Sequence, residues 1–383
     1  MQGKRGSLGC ASFALAMALA CACSGPAPPA AAPPAPRRDL PDAHLWLMGD
    51  AGADEHNPVL GALRQALVVD SARGLVVVLG DNVYPDGIAD PGTSGHAEGE
   101  RRLRAQVDAV RGAVSGAVFL PGNHDWGTDP ARGVEVLSRE LELINREGDG
   151  GRVRMLPHAG CPGPSVVDVG TSLRLIGLDT EWWLRPAAPR GRASDGCLTT
   201  ERAVLDSLGA LIAGAGTRRV VVAGHHPLAS VGPHGGRFGW QQHIFPLREL
   251  WSPLWIPLPV IGSIYPLARV LRNSPQDLRS AVYRHYRESI DSVFREHPPI
   301  AYASGHEHNL QVLNGAHVPL LLVSGGASRN RPSFVVPSAE TRFAERANGF
   351  MRLDIWKDGE VRLTVIAVDR DGGVRDAFQL RVP

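Results

Sequence analysis

The feature that most constrains this chain is a series of short apolar runs that close on small or polar residues. They are HLWLMGD (44–50), LVVVLGD (75–81), AVFLPGNHD (117–125), LRLIGLD (173–179), VVVAGHH (220–226), IAYASGHEH (300–308) and LLLVSGG (320–326). Unbroken Val/Leu/Ile runs of this length suit strands covered on both faces. Helical patterns lie between several of them. Residues 57–68 place Leu60, Leu63 and Val68 on one face. Residues 199–213 place Val204, Leu205, Leu208 and Leu211 on another, with Thr199 or Thr200 as the cap. Strands alternating with helices predict an α/β architecture.

The C-terminus changes character. FMRLDIW (350–356), EVRLTVIAV (360–368) and DAFQLRV (376–382) alternate apolar with polar, separated by Asp358-Gly359 and Asp371-Gly372-Gly373. This predicts an antiparallel meander in the same domain, closing a second sheet.

The N-terminus reads as an export segment (1–23). Lys4 and Arg5 precede the apolar run 8–23, which is short for a membrane span. Ala18-Leu19-Ala20-Cys21 resembles a bacterial lipobox, with alanine in place of the usual leucine. Cys21 or Cys23 is thus a candidate lipidated residue, and the alternative is a plain cleaved signal peptide. A Pro/Ala-rich linker (24–42) follows, extended by composition. The expected location is the periplasm or cell envelope, with possible membrane attachment through the lipidated cysteine. Only Cys161 and Cys197 lie in the folded body (43–383), where one disulfide or two free thiols are open. The net charge of +1 gives no electrostatic reason to expect nucleic acid as a partner.

Several polar clusters sit where a strand ends, the place where open α/β sheets gather distant residues into one site. The converging set is Asp50, Asp81, Tyr84, Asn123, His124, His225, His306 and His308. Its donors are carboxylate, phenol, amide oxygen and imidazole, without thiolate, and suit iron, zinc or manganese. A lone histidine usually packs or faces water, which is the reading for His44, His56, His96, His158, His243, His285, His297 and His317. His226 is left outside the set.

GDAG, GDNVY, GNHD, GHHP and GHEH, in that order, resemble the calcineurin-like metallophosphoesterases. Within them the match is to the purple acid phosphatases. The broader pattern is Asp-x-His in the first motif; here Asp50-Ala51-Gly52 lacks the histidine, and Tyr84 follows Asp81 instead. The resemblance implies two packed mixed β-sheets flanked by helices, a four-layer sandwich. It also implies two metal ions, Fe(III) with a divalent iron, zinc or manganese, bridged by Asp81. Asp50, Tyr84 and His308 would complete the first site, and Asn123, His225 and His306 the second. His124 and His234 would contact substrate, a role suited to imidazole. Asp125 and Glu307 would orient ligands. The implied reaction is hydrolysis of a phosphate monoester, a small phosphorylated substrate, by a metal-activated water or hydroxide. A phosphodiesterase or nucleotide hydrolase would use the same donors. A reading from another class is a non-catalytic envelope-binding lipoprotein, which need not keep seven donors.

An insertion at about 236–297 departs from the pattern. Its stretch WSPLWIPLPVIGSIYPLARVL (251–271) carries four prolines, which exclude a regular spanning helix. A helix is expected after it, capped by Ser274, with Leu278, Val282, Tyr286, Ile290 and Val293 as its buried stripe. The insertion reads as a packed subdomain, a lid or a membrane-surface contact. Trp182, Trp183, Trp251 and Trp255 are core, rim or pocket-floor candidates.

Overall fold

The computed structural model describes residues 34–382 apart from 70–72, 159, 186–189, 250–254, 259–260, 265–273 and 329–331. The expected export segment, residues 24–33 of the linker, Trp251 and parts of the apolar stretch lie outside the described residues.

Among the described residues, fourteen strands form two seven-stranded sheets. The first holds β1 (Ala43–Met48), β2 (Arg73–Val78), β3 (Ala117–Phe119), β4 (Val153–Met155), β12 (Asn348–Ile355), β13 (Val361–Val368) and β14 (Val374–Val382), in the order β14-β13-β12-β1-β2-β3-β4. The second holds β5 (Ser165–Val169), β6 (Leu173–Gly177), β7 (Arg219–Ala223), β8 (Ala301–Ser304), β9 (Leu310–Leu313), β10 (Leu320–Ser324) and β11 (Thr341–Glu345), in the order β11-β9-β10-β8-β7-β6-β5. Both are mixed: β1, β2, β3 and β4 run parallel, as do β6, β7, β8 and β10, while the remaining pairings are antiparallel.

Strand alternation makes the layers. On β1, Leu45 and Leu47 face the core between the sheets, whereas Trp46 and Met48 face helices on the outer side. Both faces are buried, which explains why the run shows no polar alternation. On the first sheet's outer face pack helices α1 (Pro58–Val69) and α2 (Ser94–Val110) through Leu63, Leu103 and Val107. Helix α3 (Gly133–Glu147) lies against α2 and β4. A short helix α4 (Glu181–Leu184) follows β6. On the second sheet's outer face pack α5 (Glu201–Ala213) and the long helix of the insertion through Val204, Leu208, Ile290 and Phe294. The result is the helix–sheet–sheet–helix arrangement that the motifs imply.

Four expectations need correction. The C-terminal meander does not close a second sheet: β12 pairs antiparallel with β1 and extends the first. Val68 is 77% exposed, and the buried face of α1 runs through Val59, Leu60, Leu63 and Leu67. On α5, Thr200 is the cap, accepting from Ala203 N at 3.3 Å, and the fully covered stripe is Val204, Leu208 and Ile212, with Leu205 and Leu211 at its edge. In the insertion, after α6 (Trp240–Ile244), the long helix α7 (Ala281–Glu296) is capped by Ser280, whose hydroxyl accepts from Tyr283 N at 3.2 Å. Ser274 instead opens a turn, because Gln276 two residues on is drawn toward the strand-end cluster. Leu278, Tyr286, Ile290 and Val293 are buried as expected. Val282 is only partly so, and Tyr283 and Phe294 complete the stripe.

The body cysteines are joined. Cys161 and Cys197 form a disulfide with Cα atoms 5.1 Å apart, within the reach such a bridge requires. Trp182 and Trp183 are core residues, and Trp255 is exposed.

Candidate metal centre

Five parallel strands deliver the cluster from their carboxyl ends. Asp50 follows β1, Asp81 and Tyr84 follow β2, and Asn123 and His124 follow β3, all from the first sheet. His225 follows β7, and His306 and His308 follow β8, from the second. Three of these residues, Asp50 (φ 66°), Asp81 (φ 56°) and His306 (φ 69°), adopt left-handed backbone that disfavours side chains. Neighbouring bonds hold them there. Asp50 N donates to Gly80 O at 3.0 Å, and His306 N donates to Asp50 Oδ2 at 3.0 Å.

The side chains fall into two groups that share Asp81. In the first, the Tyr84 hydroxyl lies 2.8 Å from Asp81 Oδ2, 3.2 Å from Asp50 Oδ1 and 3.0 Å from His308 Nε2. In the second, Asn123 Oδ1 is 3.1 Å from both His225 Nε2 and His306 Nδ1, which are 3.2 Å from each other. Asp81 Oδ1 lies 3.4 Å from His225 Nε2, so one carboxylate turns an oxygen to each group.

The hydrogen bonds outside the cluster fix which atoms face inward. His225 Nδ1 is 2.8 Å from Leu79 O, and His306 Nε2 is 2.9 Å from Gln276 O. A carbonyl accepts, so each of those nitrogens carries the proton, and the inward nitrogen offers a lone pair. Burial pushes both imidazoles below their ordinary pKa, favouring this neutral form. Two imidazole lone pairs and an amide oxygen that meet at about 3 Å repel one another, and a cation between them removes the conflict. The first group makes the same demand. Burial and the neighbouring Asp81 charge raise Asp50 well above the carboxylate range. Burial opposes ionisation of Asp81 too, yet positive charge on the His225 or His124 ring when protonated, with the His124 N–H and the Tyr84 hydroxyl, brings it down to about 2. The donor set therefore fits two hard or borderline cations.

Gly52 explains the absent histidine of the first motif. A Cβ there would stand 2.3 Å from the Asn82 carbonyl, and Tyr84 N donates to Gly52 O at 3.2 Å. Position 52 has no room for any side chain, and the close approach sets Tyr84 in its place. Gly122 is similarly confined, with Asp81 Oδ1 2.4 Å from where its Cβ would be.

Asp125 and Glu307 act through backbone. Asp125 accepts from Asn82 N (2.7 Å), Val83 N (3.1 Å) and Gly122 N (2.7 Å), bracing the loops after β2 and β3 together. Glu307 Oε1 accepts from Ser230 Oγ (2.8 Å) and His234 N (2.7 Å), fixing the loop that carries His234.

His124 and His234 flank the cluster. The His124 ring lies 4.3 Å from that of Tyr84, with Nε2 4.0 Å from Asp81 Oδ2, and its side chain is 36% exposed. The His234 ring lies 4.1 Å from that of His306, with Nδ1 3.0 Å from Asp277 Oδ1.

His226 also stands near His225 and His306, but both of its ring nitrogens are engaged. Nδ1 is 2.7 Å from Thr180 Oγ1 and Nε2 is 2.7 Å from Gln276 Oε1. Gln276 Nε2 donates to both oxygens of Glu181 at 3.0 Å, Glu181 pairs with Arg185, and Arg185 reaches Asn123 O at 3.4 Å. This chain links Gln276 of the insertion to two members of the second group. Tyr283, Tyr286 and Tyr302 hold the His225 loop from behind, their hydroxyls donating to Pro227 O or His226 O. Sequence reasoning missed Gln276, Thr180 and Glu181. The one available signal was Glu181, set directly before the apolar Trp182-Trp183-Leu184.

No family model matches the chain, and no curated protein matches it by sequence. Among solved structures, the fold is similar to purple acid phosphatase PPD1 from yellow lupin (Lupinus luteus) seeds, with a TM-score of 0.50 and 14% identity. That match covers 88% of this chain and 53% of the lupin chain, so this protein spans about half the length of that relative. It is also matched to GAP50, the anchor in the inner membrane complex of Plasmodium, with a TM-score of 0.48, 15% identity, and 89% and 88% of the two chains covered. The two-sheet sandwich is thus similar in fold to a purple acid phosphatase, the arrangement that the motifs imply.

Proposed function

We propose that this protein hydrolyses a phosphate ester, most simply a monoester, with two metal ions held by the strand-end cluster. The observation that carries this reading is the division of seven donors into two groups with Asp81 between them. Asp50, Tyr84 and His308 would hold one ion, for which the phenol suits Fe(III). Asn123, His225 and His306 would hold a divalent iron, zinc or manganese ion. Such a pair supplies Lewis acidity to an attacking water and to the oxygens of the ester.

The chain's own residues set the rest. Asp81 holds both halves of the cluster in register, and Asp125 braces two of the loops that carry it. His124 and His234, one beside each group, would bind nonbridging oxygens of the substrate and pass a proton to the leaving oxygen. Loss of a positioned general acid costs on the order of 10²–10⁴ in rate. The small phosphorylated substrate would enter on the side these two imidazoles border. Export to the periplasm or envelope, with or without a lipidated Cys21 or Cys23, remains part of the proposal, as does the absence of nucleic acid among its partners. Among the described residues no helix is long and apolar enough to cross a membrane.

The test joins metal analysis to kinetics. Two ions per chain and turnover of nitrophenyl phosphate are expected. His124→Ala and His234→Ala should keep both ions and lose more rate on an alkyl phosphate than on the nitrophenyl ester. Bound ions without turnover of any ester would favour the binding lipoprotein, and equal rates in both variants would remove the two histidines from the chemistry.

A further inference from the structure

Among the described residues, eight large apolar side chains stand exposed, and four of them belong to the insertion: Trp240 (64%), Trp255 (53%), Ile256 (47%) and Ile264 (60%). They form one local unit. The Phe245 ring lies 6.1 Å from that of Trp240 and 5.2 Å from that of Trp255. Leu258 N donates to Ile244 O at 2.7 Å, and His243 Nδ1 meets Ser263 Oγ at 3.0 Å, tying α6 to the segment that ends at Ile264. Two exposed tryptophans in one patch are uncommon on a surface that faces only water.

The sequence of this segment carries a complementary charge. Residues 236–280 hold five arginines against Glu249 and Asp277, although the whole chain balances at +1. The remainder is therefore slightly acidic, and the basic excess lies in the same stretch of sequence as the apolar patch. Tryptophan with isoleucine and arginine is the composition that settles at the boundary between lipid headgroups and acyl chains. The prolines of residues 251–271 exclude a span and leave only a surface contact. Residues 8–23, apolar behind Lys4 and Arg5, direct the same chain toward a membrane.

We propose that the insertion docks on a bilayer bearing anionic headgroups. Trp240, Trp255, Ile256 and Ile264 enter the interfacial layer, and the arginines of the segment meet lipid phosphate. The apolar segment is flanked on both sides by contacts to the strand-end cluster, since His234 packs on His306 and the Gln276 carbonyl accepts from His306 Nε2 at 2.9 Å. Docking would thus hold that cluster close to the lipid surface.

Co-sedimentation with phosphatidylcholine vesicles, with and without phosphatidylglycerol, tests this in the full chain and in the chain begun at residue 24, which retains every described strand and helix. Both should bind the anionic vesicles, less so as salt rises. In the shorter chain, Trp240→Ser with Ile256→Ser should weaken binding on the order of tenfold or more, with an unchanged melting temperature. As a check independent of that pair, brominated lipid should quench tryptophan emission of the full chain, and Trp240→Phe should reduce the quenching. Failure of the shorter chain to bind, or equal binding by the double variant, overturns the proposal. So does a patch-dependent dimer in ultracentrifugation without vesicle binding, which would make the occupant a second copy of the chain.

Discussion

The Tyr84 hydroxyl lies 2.8 Å from Asp81 Oδ2, while Oδ1 of the same carboxylate turns to the His225 side of the cluster. No other side chain in the cluster lies against ligand-type side chains of both groups; Asp50 reaches the second only through the His306 backbone N–H. Asp81→Ala should therefore lose both ions, and Asn123→Ala mainly the one on the imidazole side. Metal stoichiometry by mass spectrometry checks this, and two ions retained in Asp81→Ala would refute the bridging role.

Tyr84 should give the protein its colour. Burial, with Asp81 and Asp50 alongside, keeps its phenol protonated well above the ordinary range when no cation is near. A trivalent ion in the first group would reverse that preference and generate a phenolate. Tyr84→Phe should then abolish a visible charge-transfer band while the melting temperature changes little. An iron-free wild type loaded with zinc in both places, fully active, would end the ferric assignment.

Gln276 should matter to metal retention although it touches none of the ions' positions. Its carbonyl keeps the proton on His306 Nε2, and its side chain is gripped by His226 and Glu181. Gln276→Leu removes the grip. Partners of this outer kind typically contribute about 10–100-fold in metal affinity, so the imidazole-side ion should weaken by that factor while the tyrosine-side ion stays. Competition with a chelator, read separately for each ion, distinguishes this from a general loss of stability.

The Cys161–Cys197 bridge closes a loop of sequence separation 36. Chain-entropy arguments assign such a loop about 3–4 kcal/mol. Cys161→Ser/Cys197→Ser should lower the unfolding free energy by roughly that amount in denaturant, without changing metal content. An unchanged midpoint would show that the loop is held by its packing alone.

Most of the frame was readable because β1, β2, β3, β6, β7, β8 and β10 are covered on both faces, and continuous apolar runs have few other uses. Strands β4, β5, β9 and β11 escaped because three to five residues leave too little pattern, and all but β9 lie at a sheet edge. The donors were legible for a different reason: each stands directly after a strand, in a short motif. Gln276 was not, since its role rests on a backbone carbonyl and an amide whose partners are far away in sequence, at His306, His226 and Glu181. The placement of the meander also escaped. Alternation predicts that β12 pairs with a neighbour, but not that its other edge meets β1, some three hundred residues earlier in the chain, nor that it is buried along nearly its whole length.

The two sheets contribute unequal shares of the cluster. Asp50, Asp81, Tyr84 and Asn123 come from one, and His225, His306 and His308 from the other. Neither half holds all seven donors of the proposed site, so ions bound as proposed would not be captured by a partly made chain. They would arrive after residues near the start and residues past position 300 have already met. A chain threaded through a membrane in extended form would carry no metal with it, and its final composition would be decided by whichever ions the far side offers.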